Sequence, residues 1–232
     1  MNNQSNNIEM IKLIAEGLGN DLLNNVVFVG GSVSGLYATN PAAPEVRYTE
    51  DIDCIINLAA RTDFNDFENE LRKKKFENDI REKAPICRWV YSGITVDIMP
   101  VDSQILGFTN KWYKPGLKNT ISHKITEDLN INILSAPYFL ATKLEAHNSR
   151  GGSDLRFSHD FEDIVYLLDN RNELIEEIRS SDNHLKEYLK QEFNKFVNNP
   201  YLEEGIECTL PYGSGTKTIE RIKGIFILIA YS

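Results

Sequence analysis

Val26-Val27-Phe28-Val29-Gly30-Gly31-Ser32, and then Thr49-Glu50-Asp51-Ile52-Asp53-Cys54-Ile55-Ile56, form the stretch on which the reading of this chain depends. Val26 to Val29 is a short apolar run bounded by Asn24-Asn25 and Gly30-Gly31, the pattern of a buried strand. Ser32 to Ala38 can begin a helix right after the glycines. Thr39 to Tyr48, with two prolines, reads as loop, and Asp51 to Leu58 as a second strand. On a strand, Asp51 and Asp53 leave the same face while Ile52 and Cys54 point into a core. Two carboxylates about 4 Å apart repel by roughly 4 kcal/mol at an effective dielectric near 20. A divalent cation between them turns that cost into a binding site, and hard oxygen ligands suit Mg²⁺.

A third carboxylate follows the same pattern. Cys87 to Tyr91 and Ile94 to Met99 are β-rich runs joined by Ser92-Gly93, a hairpin signal, and Pro100 ends the second. Asp97 interrupts Ile94-Thr95-Val96-Asp97-Ile98-Met99, so an ionisable group lies within a run that should be buried. If its strand neighbours the Asp51–Asp53 strand, all three carboxylates share one metal centre. Such a trio suits two-metal phosphoryl chemistry: one ion holds a triphosphate, the other activates an attacking hydroxyl, and Asp97 takes the proton as general base. Gly30 and Gly31 let backbone approach a phosphate without a Cβ in the way. A following helix N-terminus and the Ser32 hydroxyl would add donors.

Beyond about residue 115 the pattern changes. Ile121 to Leu134 can add strand pieces, and from Ser135 onward helices are expected. Ser135 precedes a helix carrying Pro137 in its first turn and stopped by Gly151-Gly152. Ser158 caps His159 to Asp169, and further helices cover about Asn172–Arg179, Asn183–Val197 and Lys217–Ala230. Ile8 to Leu18 is a helix ended by Gly19, and Phe64 to Phe76 another, with Phe64, Phe67 and Leu71 on one side. The expected layout is an α/β catalytic domain over residues 1–118 and a mainly helical domain over 119–232, with a cleft between them as the natural ligand site. Lys143 and His147 fall on the apolar stripe of Phe139, Leu140 and Leu144. A lysine there needs an anionic partner or a cleft opening, and nucleotide phosphate fits; His147 reads as a satisfied interior histidine. Asp160 and Asp163 share one side of their helix. Asp160, in the first turn, complements the helix dipole, an explanation Asp163 lacks. Asp102 and Arg150 are weaker candidates.

These motifs resemble a known group. Val29-Gly30-Gly31-Ser32 followed by Asp51-Ile52-Asp53 is similar to the Gly-Ser and Asp-x-Asp motif of the DNA polymerase β-type nucleotidyltransferase superfamily. Val96-Asp97-Ile98-Met99-Pro100 resembles its third carboxylate strand. Ala141-Thr142-Lys143-Leu144-Glu145-Ala146 with Ser158-His159-Asp160-Phe161-Glu162-Asp163-Ile164 resembles the AbiEii/MenT toxins. The resemblance implies a polymerase β-like mixed sheet with flanking helices, followed by a mainly helical half. It also implies NMP transfer from an NTP to a hydroxyl, with two Mg²⁺ on Asp51, Asp53 and Asp97. Gly30, Gly31, Ser32, Lys143 and Asp160 would bind nucleotide. Asp163 would be the acidic group of its helix in the active site. The implied acceptor is a tRNA 3′ end or a protein hydroxyl, and the implied partner an antitoxin. The gap from Ser32 to Asp51 exceeds the motif's usual spacing, and the insertion Asn40 to Tyr48 is expected at the site mouth. The rival readings are a small-molecule nucleotidyltransferase of the aminoglycoside type, which an acidic protein would suit, and a non-catalytic interaction module.

Composition narrows the partners. At 232 residues, 41% hydrophobic and 25% charged, the chain can bury a core. A net charge of −9 tells against a broad nucleic-acid surface. Arg72-Lys73-Lys74-Lys75 is the only basic cluster, and with Glu68, Glu70 and Glu77 nearby it reads as a solvated helix face. Three separated cysteines, Cys54, Cys87 and Cys208, read as small buried hydrophobes. No apolar run is long enough for a bilayer. The polar start, Met1 to Asn7, lacks signal-peptide order, so the expected compartment is the cytoplasm.

Overall fold

The computed structural model describes residues 3–58, 61–150 and 154–231. These form two compact units, one of Met1–Leu36 with Glu45–Ser135 and the other of Tyr37–Pro44 with Ala136–Ser232.

The first unit is built on a mixed seven-stranded sheet. A helix α1 (Asn3–Leu23) precedes β1 (Val26–Val29). Gly19, with φ 64° and ψ 166°, breaks the helical run of α1 where the sequence expectation ended it, and a further turn carries on to Leu23. Ile11, Ile14 and Leu18 are fully buried, and α1 packs on β1. There follow β2 (Asp51–Ile56), α2 (Arg61–Lys73), β3 (Glu77–Asn78), β4 (Arg88–Tyr91) and β5 (Ile94–Pro100). Short helices α3 (Ser103–Leu106) and α4 (Tyr113–Gly116) lead to the hairpin of β6 (Thr120–Lys124) and β7 (Asn130–Leu134). Strand order is β3-β4-β5-β2-β1-β7-β6. The last two strands, which sequence texture assigned to the helical half beyond residue 118, complete this sheet because β7 pairs in parallel with β1.

Turn chemistry accounts for the β4–β5 hairpin. Ser92 and Gly93 both have positive φ, 48° and 82°, the conformation a two-residue turn between twisted strands requires. Phe64, Phe67 and Leu71 of α2 are buried on one side, as their spacing predicts. The basic cluster begins on that helix and runs past its end; Lys73 pairs with Glu70 at 2.6 Å and Lys74 with Asp21 at 2.7 Å, a solvated face. The cysteine expectation holds for Cys54 and Cys87, both buried, and fails for Cys208, which is exposed. Burial raises the Cys87 thiol to about 12 and pushes Cys54 up as well.

The second unit comprises α5 (Ala136–Ser149), α6 (His159–Asn170), α7 (Leu174–Arg179), α8 (Asn183–Val197), α9 (Leu202–Thr209) and α10 (Thr216–Tyr231). Of these only α9 was not expected from sequence. Gly151-Gly152, read as the stop of α5, lies outside the described residues. Ser158 caps α6, its Oγ accepting from Phe161 N at 3.2 Å. Phe161, Phe193, Phe196 and Phe226 form an aromatic core, with centroid separations such as 5.1 Å for Phe193–Phe226 and 5.3 Å for Phe161–Phe196. The segment Tyr37–Pro44 belongs here: Tyr37 stacks on Phe139 at 4.5 Å, and the N–H groups of Thr39 and Asn40 donate to Asn170 O at 2.9 and 3.0 Å. Among the described residues no helix is long and apolar enough to cross a membrane.

Asp182 caps α8, accepting from Leu185 N at 3.0 Å and from the Tyr138 hydroxyl at 2.6 Å. The Tyr138 hydrogen bond holds its carboxyl below the ordinary carboxylate value, outweighing the opposing effect of burial. A depressed folded pKa stabilises the native state at pH above the unfolded value of about 3.9 and loses that contribution as pH falls through the folded value. Urea unfolding of wild type and Asp182→Asn should therefore differ at neutral pH and converge in acid. A stability gap that widens below pH 4 would contradict this.

Candidate active site

Strand register brings the three aspartates together. β2 and β5 run parallel with Asp51 opposite Thr95 and Asp53 opposite Asp97, so Asp53 and Asp97 emerge side by side on one face with Asp51 two residues along. The alternation is visible in burial. Ile52 and Cys54 are fully buried, whereas Asp51 and Asp53 are half-buried and Asp97 is 8% exposed. Burial raises the Asp51 carboxyl, the Asp97 charge adds to the rise, and Arg88 and Arg47 oppose it. A buried acidic group pressed by another anion is stabilised by a cation.

The glycine turn completes this face. β1 runs antiparallel to β2 with Val29 opposite Asp53, which sets Gly30 directly against the Asp53 side chain. Gly30 has φ 75°, and a Cβ there would overlap the Asp53 Oδ2 and come within 2.7 Å of its Cγ. Ser32 is 3% exposed, and its Oγ has no hydrogen-bond partner among the described residues. An orphaned buried hydroxyl beside a backbone cradle is a donor awaiting an acceptor. The helix expected after the glycines is instead a seven-residue 3-10 turn, Gly31–Tyr37. The cradle therefore depends on the glycines and Ser32 rather than on an α-helix dipole.

Two arginines that the sequence reading passed over stand at this face. Arg88 on β4 lies directly across from Asp97. It donates from Nε to Asp97 Oδ1 at 2.8 Å and from Nη2 to Asp97 Oδ2 at 2.7 Å, and Nη2 reaches Asp51 Oδ2 at 3.4 Å. Arg47 comes from the insertion. A Cβ on Gly31 would overlap its Nη2 and lie 3.0 Å from its Cζ. Asn7, 1% exposed, fixes this end of the loop by donating to Arg47 O at 3.0 Å and accepting from Thr49 N and Oγ1 at 3.2 and 3.3 Å. Spacing alone gives no signal for Arg47, because its position is set by contacts with Asn7 and Gly31, both distant in sequence. For Arg88 the signal was present in the hairpin: with Ser92-Gly93 as the turn, Arg88 falls opposite Asp97.

In the helical unit Lys143 is 6% exposed and lies 2.6 Å from Asp163 and 3.3 Å from Asp160, both of them buried. Arg150 adds a second cation 2.6 Å from Asp160. The anionic partner that Lys143 needs is thus supplied by the protein itself. His147 is an interior histidine as expected, its Nδ1 2.7 Å from Ser158 Oγ. Asp102 caps α3 through Gln104 N, a structural role.

The donor set suits a hard divalent cation, since three carboxylates share one face and a glycine turn adjoins them. As the side chains stand, no three carboxylate, imidazole or thiolate groups among the described residues converge closely enough to hold an ion. The Arg88 guanidinium bridges Asp97 and Asp51 at that point.

A mixed sheet presenting carboxylates beside a glycine turn is the arrangement expected of a nucleotidyltransferase. The profile of the family described as "Nucleotidyl transferase AbiEii toxin, Type IV TA system" matches residues 20–207, and the chain belongs to that family. Two solved structures are similar at 12% identity. The crystal structure of JHP933 from Helicobacter pylori has a TM-score of 0.49, over 98% of this chain and 92% of that one. A candidate nucleotidyltransferase from H. pylori has a TM-score of 0.45, over 97% and 94%. No curated protein matches.

The two glycines should respond differently to alanine. Gly30→Ala combines a left-handed backbone, worth roughly 1–2 kcal/mol, with a collision against Asp53. Gly31→Ala meets the end of a flexible arginine, which can move. Denaturant titration should show Gly30→Ala as the more destabilised protein, and equal stabilities would refute this account of the turn.

Proposed function

We propose that the chain transfers NMP from an NTP to a hydroxyl acceptor with release of pyrophosphate, at a metal site formed by Asp51, Asp53 and Asp97. The observation that carries this reading is the β2–β5 register, which puts Asp53 beside Asp97 with Asp51 on the same face, against a Gly30 that admits no side chain. Two Mg²⁺ ions, when bound to these carboxylates, supply charge neutralisation at the phosphates and acidify the attacking hydroxyl.

The chain's own residues do the rest. Gly30, Gly31 and the orphaned Ser32 hydroxyl receive phosphate oxygens, and Arg47 adds positive charge beside them. The acceptor oxygen attacks the α-phosphorus; the new P–O bond forms as the bond to the bridging oxygen breaks, and pyrophosphate leaves. Asp97 takes the acceptor's proton as general base. In the helical unit we assign Lys143 to nucleotide phosphate, with Asp163 and Asp160 holding the ammonium group in place. Membership of a type IV toxin–antitoxin family supports a toxin role and an antitoxin partner. The acceptor proposed is a tRNA 3′ end, with a protein hydroxyl as the other polymer carrying such a group.

Incubation with α-labelled NTPs, Mg²⁺ and total tRNA tests the reading. Label should enter RNA, and the Asp51→Ala, Asp53→Ala double variant should lose roughly a hundredfold or more, since the metals contribute several kcal/mol. Undiminished transfer by the double variant would overturn the assignment of the site. Label in a small product, with none in RNA or protein, would overturn the assignment of the acceptor.

A further inference from the structure

Arg88 has no part in the chemistry just described, yet it makes close contacts at the carboxylate face. Its fork takes both oxygens of Asp97, at 2.8 and 2.7 Å, and its Nη2 reaches Asp51 at 3.4 Å. Paired guanidinium and carboxylate groups of this kind are directional and strong. Arginine stays charged at any working pH, so this positive charge cannot be switched off by loss of a proton. A divalent cation on the same carboxylates needs oxygen lone pairs at about 2.0–2.1 Å in near-octahedral array. The guanidinium engages one lone pair on each Asp97 oxygen and one Asp51 oxygen, and it carries like charge, so it opposes a cation on Asp97 and Asp51.

We propose that Arg88 is a resident counter-ion of the metal site: it neutralises Asp97 and Asp51 in the metal-free enzyme, competes with the divalent cation for them, and is released when the cation enters. The released side chain has somewhere to go. Arg88 lines a cavity of about 250 Å³ together with Asp79, Arg81, Glu82, Lys83 and Ala84, on the side of β4 away from the glycine turn. Asp79 there is already held by Arg81, and Glu82 offers a carboxylate in exchange. The device keeps three neighbouring aspartates compatible with folding before metal arrives, and it makes the affinity for metal alone lower than the ligand set would otherwise give. Arg88 is thus a positioning residue that acts through Asp97.

This inference rests on the metal-site reading above, and binding of Mn²⁺ alone, without nucleotide, tests the two separately. Titration calorimetry on wild type, Arg88→Gln and Arg88→Lys should give tighter binding by Arg88→Gln, by roughly tenfold or more, with Arg88→Lys in between because it keeps the charge and loses the fork. A purely structural cross-strand pair predicts the opposite, equal or weaker binding once Arg88 is removed, and that result overturns the proposal. Absence of Mn²⁺ binding in every protein overturns the metal-site reading and this inference with it. Should Arg88→Gln fail to fold, the wild-type chain gives the answer. The Arg88 Nε–H resonance, fixed by Asp97, should shift to the free-arginine position on saturation with Mg²⁺; a resonance unmoved at saturation overturns the proposal.

Discussion

Mutual repulsion of Asp51, Asp53 and Asp97 is the constraint around which the sheet unit is arranged. Parallel pairing of β2 with β5 places Asp53 next to Asp97, and the strand period sends Asp51 to the same face. Such a face destabilises the fold unless positive charge lies close by. Arg88 supplies it from across β5, held in register by the Ser92-Gly93 turn, and Arg47 supplies more from the loop that Asn7 secures. Much of the local architecture, from the hairpin to the first helix, thereby serves to set cations beside those acids.

The same constraint explains the glycines. A side chain on Gly30 would displace the Asp53 carboxylate, so the turn after β1 is bare. Beyond it, Ser32 keeps a buried hydroxyl that the described protein groups do not satisfy. On the proposed reading, structural necessity and a place for phosphate come from this one turn.

How much of this could be read from sequence follows from the range of the interactions involved. The apolar run Val26–Val29, the alternation in Asp51–Asp53, the hairpin turn and the Ser158 cap are local, and each yields to period and turn chemistry. The pairing of Asp97 with Asp53 was stated as a condition on strand neighbourhood, and the register met it. Arg47 was out of reach because Asn7 and Gly31 determine its place. The short β3 and α9 carry too little periodicity to stand out. β6 and β7 were seen as strand pieces, but their membership of the sheet depends on β1, about a hundred residues earlier, which no local pattern encodes. The stripe position of Lys143 points to an anionic partner or a cleft opening, while the carboxylates beside it, Asp163 and Asp160, follow only from the packing of α5 on α6.

The cysteines carry a practical consequence. Cys54 and Cys87 are buried with thiols pushed up in pKa, Cys87 to about 12, so neither offers thiolate at neutral pH. Cys208 on α9 is exposed. An alkylating dye applied under mild conditions would therefore mark a single place in the helical unit. The native chain comes equipped for fluorescence and spin-label spectroscopy with no engineered thiol.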